Sequence, residues 1–120
     1  MIKGINTEID YSIKCISYLG ISSYGKMYIG NMGIEFFNDK NIKDFILIPW
    51  TEVEYISASV IFGRYINRFS VFTKKNGHFE FSTRDNKKTL KAMNKYISSE
   101  KLLRSPSFLG YVSKFLKKIF

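Results

Sequence analysis

The sequence predicts a mainly β domain: seven antiparallel strands forming a small barrel or sandwich, one helix capping it, and a second, amphipathic helix ending the chain. Three observations carry this. Apolar and polar residues alternate with a period of two from about residue 11 to 83. An Asn76-Gly77 pair lies between two alternating runs, the strongest short-range hairpin signal. After Asp85 the apolar period lengthens to that of a helix.

Tyr11, Ile13 and Cys15 fall on one side of the first strand, and Lys14, Ile16 and Tyr18 on the other. Ser22 to Gly25 turns the chain into Lys26–Gly30, and Asn31-Met32-Gly33 turns it again into Ile34–Phe37. A further turn at Asn38 to Asn41 leads to the short apolar run Phe45–Ile48. Pro49 has no amide hydrogen, so the ladder is expected to end there, with Trp50-Thr51-Glu52 as a connector. Glu54–Phe62 reads as a longer strand, broken by Gly63-Arg64-Tyr65. Arg68–Thr73 then pairs with His78–Ser82 across Lys74 to Gly77.

Asp85 is a helix N-cap, and Leu90, Met93 and Ile97 form one apolar stripe of a helix of about three turns. Ser105-Pro106 has the form of an N-cap followed by proline in the first helical position. Beyond it Phe108, Leu109, Val112, Phe115, Leu116 and Ile119 recur at helical spacing, with Lys114, Lys117 and Lys118 on the other face. The division expected is residues 1–98 for the barrel and its capping helix, and 99–120 for a connector and basic tail helix. A meander of seven strands closed by one helix is pleckstrin-homology-like, an analogy of element order.

The composition narrows the functions. The chain has 120 residues, 45% hydrophobic and 17% aromatic, enough for one core and no more. One Cys and one His supply neither an internal disulfide nor a multi-histidine metal site. The N-terminus lacks an apolar signal-peptide core, and Phe45–Trp50, the longest apolar run, is far short of a membrane span. A cytoplasmic location is expected, possible association with the inner face of the cell membrane being peripheral.

Charge is unevenly spread. Residues 1–60 hold five Lys and seven acids; residues 61–120 hold fourteen Lys or Arg and three acids, within a net charge of +9. Such a field favours a polyanion: an anionic lipid surface, nucleic acid or an acidic protein face. Arg64, Arg68, Lys74, Lys75, Arg84, Lys87 and Lys88 are expected to form a basic rim for an anion or partner. The tail residues Phe108, Leu109, Val112, Lys114, Phe115, Leu116, Lys117, Lys118 and Ile119 are expected to dock on a membrane, a partner or a second copy of the chain.

No nucleophile–base constellation is readable, so no catalytic residue, metal ligand or cofactor is expected, and the protein is not expected to be an enzyme. His78 reads as an exposed strand residue and Cys15 as a small buried hydrophobe. Glu52 and Glu54 could pair as an acid and a base, but an exposed connector is the simpler reading. Phe69, Phe72, Phe79 and Phe81 around Lys74 and Lys75 invite base stacking, but alternation sends Phe69 and Phe72 to opposite faces.

Several stretches resemble a known family. They are Ser17-Tyr18-Leu19-Gly20, Tyr24-Gly25 with Gly30, Glu35 to Asp39, Ile48 to Val53, Ala58-Ser59-Val60, Arg68-Phe69, Thr73 to Gly77, and Phe81 to Lys88. In this order they resemble the ManO-type family, uncharacterised bacterial proteins encoded with mannose-family sugar phosphotransferase systems. The resemblance implies a cytosolic accessory or regulatory protein whose partner is a transporter subunit, and it carries over no catalytic residue. The alternative is a nucleic-acid-binding regulator of the sugar-uptake operon, acting through the Lys87, Lys88, Lys91 and Lys95 helix face.

Overall fold

A computed structural model describes residues 4–106. The strands are β1 (Ile9–Ser17), β2 (Ser23–Gly30), β3 (Gly33–Asn38), β4 (Phe45–Pro49), β5 (Val53–Ile61), β6 (Tyr65–Thr73), β7 (His78–Thr83) and β8 (Leu102–Pro106), with one α-helix, α1 (Asn86–Met93), between β7 and β8. They form one open mixed sheet in the order β4-β3-β2-β1-β7-β6-β5-β8. Every pairing is antiparallel except β5 with β8.

The sheet curls strongly. β3 and β7 are three strand spacings apart in the order, about 14 Å on a flat sheet. Yet the Phe36 and Phe81 rings lie 6.0 Å apart, and Phe81 meets Phe69 at 5.9 Å. The inner faces of β2–β4 and β5–β7 therefore close on each other around Met27, Ile29, Ile34, Phe36, Val53, Ile56, Phe69, Val71 and Phe81. Three residues, Trp50–Glu52, join β4 at one edge of the order to β5 near the other, which requires the same curl. Trp50 fixes this corner by donating from Nε1 to the Gly30 carbonyl at 2.8 Å and stacking on Tyr96 at 5.4 Å.

The expected hairpin at Asn76-Gly77 is present. Thr73 donates to the Gly77 carbonyl from its amide and hydroxyl, both at 2.8 Å, and its Oγ1 accepts from the Asn76 amide at 2.9 Å. Gly77 holds φ +72, a left-handed conformation that a side chain would strain. The ladder stops at Pro49, as its missing amide requires.

Three expectations are corrected. Among the described residues there are eight strands, not seven, and the sheet is mixed and open, with β4 and β8 as its edges. Leu102–Pro106 forms β8, parallel to β5, where a connector and helix start were expected. Ser-Pro was ambiguous because the residue before a proline is pushed toward extended backbone, and proline is tolerated on an edge strand. Residues 102–106 thus belong to the sheet, entered through the short 3-10 turn Ser99–Lys101. The helix is also shorter than expected, eight residues, with Ile97 buried in the turn beyond it. The expected tail helix from Phe108 to Ile119 lies outside the described residues.

A buried polar network fixes α1 on the inner face. Asp85 caps it by accepting from the Lys88 amide at 3.0 Å. The Thr89 hydroxyl, fully buried, meets Thr83 Oγ1 at 2.8 Å, the Asp85 carbonyl at 2.8 Å and the Tyr11 hydroxyl at 3.1 Å. Asn86 accepts from the Thr83 amide at 2.7 Å and donates to the Ile66 carbonyl at 2.8 Å. A Thr89→Val substitution keeps the shape and strands these partners, so it should cost about 1–3 kcal/mol in urea unfolding. A midpoint identical to wild type would refute the network's role.

Candidate functional site: the groove between α1 and β8

α1 lies over β6, β1 and β7, and a gap separates it from β8 and the end of β5. The gap is a groove of about 260 Å³. Its apolar floor comes from Ile56, Ala58 and Val60 on β5, Ile66 on β6, Leu90 on α1 and Leu102 on β8. Arg64, Lys87 and Arg104 also line it, with Gly63. Arg104 donates from Nη2 to the Gly63 carbonyl, tying β8 to the β5–β6 turn. Arg64 donates to the Tyr65 hydroxyl at 3.0 Å and stacks over its ring at 4.9 Å.

The expected rim is split. β6 runs nine residues, about 26 Å, between Arg64 at one end and Lys74 and Lys75 at the other. Arg84, Lys87 and Lys88 follow β7 at the Arg64 end, so these four share one end of the sheet. Lys74 and Lys75 stand in the exposed turn at the far end. Arg68 is engaged on the outer face, 3.6 Å from Glu80 and 4.3 Å above the Tyr18 ring. Arg104 was not expected. It would have been legible only once residues 102–106 were recognised as the strand beside β5.

Arg84 contributes to a second cavity, of about 410 Å³, with Lys14, Ile16, Tyr24, Asp39 and Ser82 among its lining residues. Cys15 borders it but is itself buried, which pushes its thiol up to about 12. His78 is exposed, stacked on Phe72 at 4.9 Å, and Phe72 stacks on Tyr55 at 4.5 Å. Phe69 and Phe81 are fully buried and Phe79 packs against the core, so the Phe quartet is not a base-stacking platform. Glu54 is exposed, and the Glu52 carbonyl accepts from the Lys74 amide at 3.0 Å. Among the described residues no three His, Cys, Asp or Glu side chains gather as metal ligands.

Two further charged arrangements were missed. Glu35 is only 3% exposed, although it lies on a strand read as ordinary alternation. The N-terminal segment covers it: Asn6 donates to its Oε2 from the backbone at 3.1 Å and from Nδ2 at 2.5 Å. Asn6 Oδ1 in turn accepts from the amides of Met32 and Gly33, at 2.7 and 2.9 Å. Near α1, Asp10 accepts from the Tyr96 hydroxyl and from Lys95 Nζ at 3.0 Å. These bonds, that from Tyr96 first, hold the Asp10 carboxyl below its ordinary value of 3.8, and Asp10 in turn raises Lys95 and Tyr96. Lys95 is thereby tied back, while Lys87, Lys88 and Lys91 remain exposed.

The fold and the groove define a class: a mainly β domain of one curled sheet, with a short inner helix and an apolar groove that is cationic at one end. The family described as a domain of unknown function (DUF956) matches residues 1–116, and the chain belongs to that family. No curated protein matches it. Among solved structures it is similar to the C-terminal domain of an unknown protein from Leishmania infantum, with a TM-score of 0.65 and 17% identity over 73% of this chain and 82% of that one. At that identity the likeness is one of fold. No helix among the described residues is long and apolar enough to cross a membrane.

The native Cys15 thiol should resist a maleimide at pH 8 and react quickly in denaturant; rapid labelling of the folded protein would contradict its burial. Because its carboxyl is depressed in the fold, the Asp10 contribution to stability should be complete above pH 3.8 and disappear as pH falls through the lowered value. Asp10→Asn should therefore lower stability at neutral pH and flatten the acid side of the stability profile. Parallel profiles for the two proteins would contradict this.

Proposed function

We propose that this chain is a non-enzymatic accessory or regulatory module of a mannose-family sugar phosphotransferase system. It works in the cytosol, peripherally on the inner face of the membrane, by binding a transporter subunit or the membrane surface. The observation that carries this reading is the groove: Arg64, Lys87 and Arg104 stand together over an apolar floor. The chain leaves β8 at the same end, because Pro106 pairs with Val60 near the close of β5. Residues 107–120 then bring Lys114, Lys117 and Lys118 among Phe108, Leu109, Val112, Phe115, Leu116 and Ile119. An apolar surface rimmed by cations suits an acidic protein face or anionic headgroups.

The resemblance to ManO-type proteins supports the link to sugar uptake. Three features support a pleckstrin-homology-like arrangement: a β1 that pairs on both sides, the three-residue corner between β4 and β5, and a helix directly after β7. In this reading residues 107–120 add an amphipathic helix to the contact.

The test is a pull-down from solubilised membranes, comparing the full chain, an Arg64→Glu/Lys87→Glu variant and a chain ending at Pro106. The boundary matters, since a deletion from residue 105 would cut into β8. Capture of a transporter subunit should fall roughly tenfold with charge reversal and also on removal of the tail. Equal capture by all three, or neither subunit capture nor membrane binding by the full chain, would overturn the proposal.

A further inference from the structure

The β5–β6 turn presents an aromatic side chain where the fold gives it no use. Phe62 is 80% exposed, and its backbone sits at φ 54, a left-handed conformation uncommon for a bulky residue. Gly63 follows at φ +73. Tyr65, 56% exposed, lies at the same end of the sheet. No internal packing offsets the strain at Phe62, and strain of this kind is characteristic of functional segments.

The surroundings are cationic. Arg64 is hydrogen-bonded to and stacked on Tyr65, Arg104 holds the Gly63 carbonyl, and Lys87 faces the same groove. The turn is thus pinned from β8 with its ring displayed outward. An exposed apolar tip ringed by Arg and Lys matches the boundary between acyl chains and anionic headgroups: aromatic side chains enter, guanidinium and ammonium groups stay with phosphate. The hydroxyl of Tyr65 suits the wet side of that boundary. β8 ends at this end of the sheet, and the sequence that follows it carries Lys114, Lys117 and Lys118.

We infer that the Phe62–Tyr65 turn inserts into an anionic bilayer, with Phe62 and Tyr65 entering the interface and Arg64, Lys87 and Arg104 holding lipid phosphates. This deepens the contact-module reading and rests on it. It names the membrane as the occupant and the turn, not the tail alone, as the point of entry.

The experiment measures sedimentation of the full chain with phosphatidylglycerol-containing vesicles and with pure phosphatidylcholine vesicles, for wild type, Phe62→Ser and Phe62→Leu. A Phe62→Trp variant is compared with wild type, whose only Trp is Trp50, for quenching by brominated acyl chains. Expected are binding to the anionic vesicles only, a loss of roughly tenfold with Phe62→Ser, retention with Phe62→Leu, and quenching specific to Phe62→Trp. Equal binding by wild type and Phe62→Ser, an unquenched tryptophan at position 62, or no vesicle binding by wild type would each overturn the inference. The same proteins are carried through the transporter pull-down. Capture that persists without vesicle binding rejects the bilayer as occupant and leaves the contact-module reading standing, whereas absence of both capture and vesicle binding by wild type rejects that reading itself.

Discussion

The closure of one sheet onto itself over Phe36, Phe69 and Phe81 is the constraint from which the other features follow. A chain this size has one core, and a flat sheet of eight strands would leave each inner side chain with water on one side. Curling brings the halves into contact and puts Met27, Ile29, Ile34 and Val71 at zero exposure. It also sets the short corner at Trp50–Glu52 and the stack of Trp50 on Tyr96. The edges stay unpaired, since β4 and β8 are each hydrogen-bonded on one side only in the strand order.

The groove is the complement of that closure. Thr83, Asn86 and Thr89 lock α1 against β1, β6 and β7, and the helix ends at Met93. Beside it Ile56, Ala58 and Val60, themselves buried, line the groove with Leu102. The cations collect at one end for a topological reason. The close of β5, the start of β6, the close of β7, the start of α1 and the exit from β8 all meet there. Arg64, Lys87 and Arg104 are distant in sequence and line one groove by strand direction.

Much of this was legible from local patterns. Alternation placed Tyr11, Ile13 and Cys15 on one face and separated Phe69 from Phe72; the Asn76-Gly77 turn and the Asp85 cap are short-range devices that the chain announces. What was not legible depends on distant partners. Five residues, Leu102–Pro106, are too few to show a period, and their identity as a strand comes from β5. Lys74 and Lys75 share a rim with Arg64 only on the assumption of a pleckstrin-homology-like barrel, whereas the length of β6 holds them apart. The burial of Glu35 depends on Asn6 reaching it from across 29 positions. The end of α1 at Met93 is concealed by the apolar stripe, which continues to Ile97.

The pairing of β1 with β7 also bears on how the chain acquires its shape. Cys15 faces Thr83 across the ladder, so the first strand synthesised waits for nearly the whole described chain before one of its neighbours exists. Until then β1–β4 can form only hairpins, with Phe36 and Met27 turned toward solvent. Such distant pairings slow the search for the native state and leave sticky intermediates exposed during translation. The newborn protein is therefore most vulnerable to aggregation in the interval before β7 leaves the ribosome, and a chaperone acting on the emerging β1–β4 meander would protect it best at that moment.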